Sequence, residues 1–279
     1  MNKKWILLFS SIICLSLLFA CNKDSNNSAS NSSSSGKKDK TVTLKVAAAS
    51  IPHAEVLEYL EEDLKKDGVL LDIKTGLDGI QINQMTAEGE LDFNYFQHTP
   101  YLEETNKQAG LNLVNVAGIH IEPFGVYSKK IKDIKDLPKN AKVSVPKDVV
   151  NFSRALLLFA KNGIIELDSK KEGDYTVEDI TKNDKNIKFI GVDGTLLNRS
   201  LDDVDAAAIN TNYALEGGLD PVKDALIIEG ADSPYVNIIA ALPDRKDDPA
   251  IQKVVKWLTS EKARKFFETK YNGAVVPVF

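Results

Sequence analysis

From residue 41 onward, short β-branched runs alternate with stretches of helical periodicity, and this alternation limits the possible fold more than any other feature of the chain. The runs that read as strands are residues 42–48, 69–73, 91–96, 113–128, 142–145, 187–190, 206–209, 225–228 and 236–241. Between the first two, Leu57, Leu60 and Leu64 recur at i, i+3 and i+7, and Gly68 then supplies a left-handed stop residue. That is a βαβ unit. The same grammar predicts helices over 100–109, closed at Gly110, over 151–162, closed at Gly163, and around Ile251, Val254, Val255 and Leu258. The fold class is therefore α/β, with parallel or mixed sheets covered by helices and ligand sites beyond the carboxyl ends of the strands.

One run is longer than a strand needs. Residues 113–128 are apolar-rich, but Pro123 and Gly125 interrupt them, which suits a chain leaving one sheet for another. Ser233-Pro234-Tyr235 offers a second crossing just before the strand at 236–241. Two crossings predict two lobes, residues 42–124 plus 234–279 and residues 125–233, joined by a double hinge that closes around a ligand.

The N-terminus reads as an address. Lys3 and Lys4 precede an apolar run from Trp5 to Ala20, so residues 1–20 form a secretory signal. A membrane-spanning segment needs about 20 apolar residues, and a basic stop-transfer flank is missing. Residues 22–40 instead read NKDSNNSASNSSSSGKKDK, so residues 21–41 form a flexible linker with a root-mean-square reach of roughly 25 Å. Both cysteines, Cys14 and Cys21, lie in this region, leaving no disulfide or cysteine metal site downstream. Lys plus Arg total 35 against 40 Asp plus Glu, and the basic residues are dispersed, which excludes a nucleic-acid partner.

Catalytic signatures are missing. No G-x-S-x-G elbow, phosphate-binding G-x-x-x-x-G-K-[ST] loop, G-x-G-x-x-G or H-E-x-x-H occurs, so the chain reads as no enzyme. His53, His98 and His120 are the only histidines, and their spacing matches no ligand signature; neither a metal nor a cofactor is expected. A metal-capturing lipoprotein using these three histidines is the rival of a different class, and a surface interaction protein is another. The acidic pairs Glu61-Glu62 and Asp202-Asp203 read as solvated charge.

A ligand is indicated elsewhere. Asn151-Phe152-Ser153-Arg154 opens a predicted helix, with Asn151 serving either as its N-cap or as a ligand amide. Arg154 in a first turn faces the positive end of the helix dipole, a conflict worth about 0.3–1 kcal/mol that an anion relieves. That anion is either a ligand carboxylate or a structural acid. Phe96 and His98, two apart at a strand end, share a face and can wall an apolar pocket. Asn210 and Asn212 follow the apolar strand at 206–209, and Asn237 lies near the second crossing. Amides offer both a donor and an acceptor, which a zwitterion demands, although one of Asn210 and Asn212 also suits a plain turn.

Several segments together resemble the NlpA lipoprotein family, the methionine-binding lipoproteins of bacterial ABC importers. They include Pro52-His53-Ala54-Glu55, Gly89-Glu90-Leu91-Asp92, Phe96-Gln97-His98-Thr99-Pro100-Tyr101-Leu102 and His120-Ile121-Glu122-Pro123. Further ones are Asn151 with Arg154-Ala155-Leu156-Leu157-Leu158, Ser200-Leu201-Asp202-Asp203, Ile209-Asn210-Thr211-Asn212-Tyr213 and Ser233-Pro234-Tyr235. Leu18-Phe19-Ala20-Cys21 is similar to a lipobox, in which the cysteine is lipidated and becomes the mature N-terminus. The resemblance implies a type II two-lobed periplasmic-binding-protein-like fold, with two mixed sheets flanked by helices. It also implies a monomer, lipid-anchored on the extracytoplasmic face of the cell membrane, that delivers a methionine-like amino acid to an ABC permease and its ATPase. Short methionine-containing peptides or another amino acid are the alternative cargo. Arg154 would hold the carboxylate, Asn151, Asn212 and Asn237 the polar backbone of the ligand, and Phe96 with His98 its side chain; Asn210 is a neighbour. Where the family often has Phe-Thr-Asp-Tyr, this chain reads Gly76-Leu77-Asp78-Gly79, and losing a ring that buries about 150–250 Å² implies a looser pocket.

Overall fold

The computed structural model describes residues 41–279; the signal segment, Cys21 and the polar linker lie outside the described residues. Two mixed sheets organise the chain. The first takes β1 (Val42–Ala48), β2 (Val69–Lys74), β3 (Phe93–His98), β4 (Val114–Ile121), β12 (Val236–Ala241) and β13 (Val276–Pro277), in the order β13-β4-β12-β3-β1-β2. The second takes β5 (Gly125–Tyr127), β6 (Lys142–Pro146), β9 (Lys188–Val192), β10 (Ala206–Ile209) and β11 (Ile227–Ile228), in the order β11-β5-β10-β6-β9. Strand β1 is parallel to β2 and β3, whereas β12 runs antiparallel between β3 and β4. A small hairpin-like pair, β7 (Glu166–Leu167) with β8 (Ile180–Lys182), is attached to the second lobe; no sequence periodicity marked it.

The run at 113–128 is two strands. It leaves the first sheet after Ile121 and enters the second at Gly125, with Glu122-Pro123-Phe124 between them. Pro123 carries no N–H, so ladder pairing stops there. The chain returns after Ile228, and β12 completes the first sheet. Phe124 and Glu229 pair backbone to backbone (Glu229 N to Phe124 O, 2.9 Å), so the two crossing segments run side by side. This is a two-lobed periplasmic-binding-like fold.

Helices cover each sheet. α1 (Glu55–Tyr59), α2 (Glu61–Lys66), α3 (Gly79–Ala87) and α4 (Thr99–Ala109) belong to the first lobe; α5 (Val149–Lys161), α6 (Leu197–Ser200), α7 (Thr211–Glu216) and α8 (Pro221–Asp224) belong to the second. α9 (Pro249–Leu258) and α10 (Glu261–Tyr271) return to the first. The predicted stripe holds in α9: Ile251, Val254 and Leu258 are fully buried against Leu44, Val46, Leu57 and Leu64. Each such side chain contributes about 1.5–3 kcal/mol of transfer free energy. The second lobe has its own core, built from Val143, Val145, Leu156, Phe159 and Ala208. Gly68, Gly110 and Gly163 all adopt positive φ, as helix stops require. No helix among the described residues is long and apolar enough to cross a membrane.

Candidate ligand-binding site

The helix at 151–162 starts two residues earlier than its apolar periodicity implied. Asp148 is its N-cap and accepts the N–H of Asn151 at 2.9 Å, so α5 begins at Val149 and Asn151 is its third residue, not its cap. The reason is local: Asp148 is itself a strong capping residue, and the β-branched pair Val149-Val150 disguised the first turn. Asp148 also accepts Asn151 Nδ2 at 3.0 Å, which turns Asn151 Oδ1 outward. That oxygen accepts from His98 Nε2 at 3.1 Å and from Asn210 Nδ2 at 3.1 Å. Asn210, at the head of α7, therefore spends its amide on Asn151 and does not itself cap the helix.

His98 ends β3 and caps α4, accepting the N–H of Tyr101 on Nδ1 at 3.2 Å. With its lone pair there, the proton sits on Nε2 and is donated across to Asn151, linking the two lobes. Burial, reinforced by the nearby Arg154 charge, lowers the His98 pKa to about 3, so the ring is neutral. Phe96 and His98 both pack on Tyr101, each ring 6.1 Å edge-on from it, and Tyr235 lies 5.0 Å from His98.

Arg154 departs from expectation in two ways. It lies in the second turn of α5, beyond the strongest part of the helix dipole, and its guanidinium already has a partner. Glu229, in the returning crossing segment, accepts Arg154 Nε at 2.8 Å and Nη2 at 2.5 Å. Nη2 also donates to the Glu122 carbonyl at 3.0 Å, and the guanidinium packs 4.1 Å from the Tyr235 ring centroid and 5.1 Å from that of Phe124. The conflict read from the sequence is thus relieved by a structural acid. Among the described residues, Nη1 alone of the guanidinium nitrogens makes no hydrogen bond.

Asn237 and Asn212 are joined through Glu122. Asn237, in β12 opposite both His98 and His120, accepts His53 Nε2 at 2.9 Å. Glu122 Oε1 lies 3.4 Å from His53 Nε2 and accepts His120 Nε2 at 2.8 Å, while Oε2 accepts the backbone N–H of Asn212 at 2.9 Å. The Asn212 side chain is half-buried, with no hydrogen bond among the described residues. Burial lowers His53 to about 4 and His120 to about 3, and raises the Glu122 carboxyl.

Only two of the three histidines gather. His53, His120 and Glu122 place ligand-type atoms within 4.8 Å of one another, whereas His98 is engaged with Asn151. The Tyr95 hydroxyl, its pKa raised by burial, bonds to His120 Nδ1 at 2.6 Å and has no other partner among the described residues, so it is the donor. His120 then carries its proton on Nε2, facing Glu122. This cluster is a hydrogen-bonded relay, with no free lone pair on His120 to offer a cation.

The space beside Gly79 is filled rather than open. A Cβ there would lie 2.9 Å from Phe96 Cε2 and 2.9 Å from the Tyr101 hydroxyl, so these two rings occupy the volume that a side chain at 79 would claim. Gly79→Ala is expected to displace one ring and lower stability by about 1 kcal/mol, read by urea denaturation.

The sequence pointed to no role for Glu122, Glu229, Tyr101 or Tyr235, and gave His53 a place only in the rival metal reading. The usable signal was an acid beside each crossing: Glu122 before Pro123, and Glu229 ending an apolar strand.

The NlpA lipoprotein family model matches residues 44–279. The methionine-binding lipoprotein MetQ of Bacillus subtilis (strain 168) is 40% identical over 99% of this chain and 99% of its own length. The D-methionine-binding lipoprotein MetQ of Escherichia coli (strain K12) is 37% identical over 80% of this chain and 82% of its own. Among solved structures, a nutrient-binding protein from Burkholderia cenocepacia bound to methionine superimposes with a TM-score of 0.82 at 41% identity, covering 85% of this chain and all of that one. Sequence, fold and the arrangement of lobes agree: this chain belongs to the NlpA lipoprotein family.

Proposed function

We propose that this chain is the substrate-binding lipoprotein of an ABC importer, capturing methionine or a closely related amino acid between its lobes and delivering it to a membrane permease driven by an ATPase. The observation that carries the reading is that one guanidinium and four asparagines stand where the lobes join, in two hydrogen-bonded groups: Asn151 with Asn210 and His98, and Glu122 with Arg154, the Asn212 backbone and, through His53, Asn237. Arg154 Nη1 takes the ligand carboxylate, with Glu229 holding the opposite side of the fork. Asn151, Asn210, Asn212 and Asn237 supply donors and acceptors to the zwitterion, and Phe96, His98 and Tyr101 form the wall beside its side chain. The names of the relatives and the methionine-bound Burkholderia protein support the choice of ligand.

The role is capture without catalysis. His53, His98 and His120 bond to amides, a carboxylate and a phenol, so none activates a serine or cysteine. Lipidation at Cys21 holds the mature protein on the extracytoplasmic face; each buried methylene adds about 0.8 kcal/mol, and two or more chains make the anchor stable.

Titration calorimetry of ligand-stripped protein against the amino acids and short methionine-containing peptides tests the reading. Methionine is expected to bind with one site per chain. Tighter binding of a peptide would move the cargo to that class, and absence of heat with every compound would overturn the proposal.

A further inference from the structure

We infer that Glu122 is the positioning residue of the binding site: a single buried carboxylate in the first crossing segment sets the place of two ligand-facing asparagines, one from each lobe. This rests on the function proposed above. Glu122 is 6% exposed and sits between the sheets, bonded on one side to the second lobe and on the other to the first. Oε2 takes the Asn212 N–H at 2.9 Å, fixing the first turn of α7. Thr211 Oγ1 donates to Pro123 O at 2.5 Å, so two consecutive residues of α7 are pinned to two consecutive residues of the crossing. Oε1 takes His120 Nε2–H at 2.8 Å and stands 3.4 Å from His53 Nε2.

His53 passes the arrangement on. Its Nε2 reaches Asn237 Oδ1 at 2.9 Å, and an amide whose oxygen is held in this way must present its NH₂ elsewhere. The relay is itself held in place: Tyr95 anchors His120 at 2.6 Å and packs edge-on against His53 at 4.6 Å. The Glu122 main-chain carbonyl meanwhile receives Arg154 Nη2 at 3.0 Å. One residue thus touches the supports of the guanidinium and of two amides, although its side chain is committed to neighbours on both sides.

Outer partners of this kind decide whether a preorganised site holds its geometry. A carboxylate accepts from every N–H aimed at it. The isosteric amide of Glu122→Gln offers one oxygen and turns an NH₂ toward either the Asn212 N–H or the histidine Nε2–H groups, so one arm of the arrangement is lost whichever way it settles.

Glu122→Gln is expected to bind methionine at least tenfold more weakly than the wild type by calorimetry. In ligand-free protein, amide spectra should show the Asn212 backbone and Asn237 side-chain resonances shifted. The losses from Glu122→Gln and Asn237→Ala should combine to less than their product, because both act through one amide. His53→Leu breaks only the branch to Asn237; it should weaken binding while leaving the Asn212 resonance in place, and it carries the test should Glu122→Gln not fold. Binding within twofold of wild type in either folded variant, or unshifted resonances, overturns the inference. If wild-type protein binds no amino acid, the proposed function fails, while the ligand-free spectra still decide whether Glu122 positions the two asparagines.

Discussion

Arg154→Ala is expected to lower folding stability by about 3–5 kcal/mol and to abolish amino-acid binding in the same protein. Arg154 is 2% exposed, and the Glu229 side chain opposite it is 13% exposed, so removing the guanidinium strands a carboxylate that water scarcely reaches. Glu229 would keep only the Phe124 N–H at 3.1 Å and the Ser233 hydroxyl at 3.0 Å, two neutral donors in place of a bidentate cation. Because the lost stability comes from an unpaired charge rather than a missing contact, it should be recoverable. Combining Arg154→Met with Glu229→Gln removes both charges and should restore most of the stability without restoring binding. Urea denaturation and calorimetry on the single and double variants separate the two effects. A double variant that recovers ligand affinity would show that the guanidinium is a hinge brace and no part of the ligand contact.

The second large effect is acid sensitivity between pH 6.5 and 4. In the folded protein burial lowers His53 to about 4, and His98 and His120 to about 3, while the unfolded chain titrates near the ordinary value of 6.5. Below pH 6.5 the unfolded state takes up protons that the folded state refuses. Stability is therefore full above that pH and falls as the solution is acidified. Each histidine contributes a slope of about 1.4 kcal/mol per pH unit through this window. Glu122 works in the opposite sense: burial raises its carboxyl, so the folded protein is protonated there before the unfolded chain. Its titration therefore offsets part of the slope that the histidines produce. Denaturation midpoints at pH 7, 5.5 and 4.5 and constant ionic strength measure it. His98→Gln should flatten the profile by one histidine's share, and a flat wild-type profile would contradict neutral burial of the rings.

What the sequence disclosed and what it concealed follow from the range of the interactions. The α/β alternation is visible because strands and helices bury apolar faces with short periods, as in β1 through β3 and the stripe of α9. That Phe96 and His98 lie on one side of β3, both against Tyr101, is visible for the same reason, since two residues apart on a strand means one face. The partner of Arg154 is 75 positions away, and no local pattern connects a helix to an acid across two crossings. The cap of α5 was readable in principle, but Asp148 and Asn151 are both good caps three residues apart, and only the fold decides between them. His53, Glu122 and Asn237 form one unit although their positions span most of the folded chain, so their cooperation waits on the β12 register.

The contact between His98 and Asn151 has a consequence for traffic through a transporter. Because an imidazole on one half bonds directly to an amide on the other, contacts between the halves favour closure alongside the contacts made by cargo. Weakening that bond is expected to lower the closed population at a given cargo concentration.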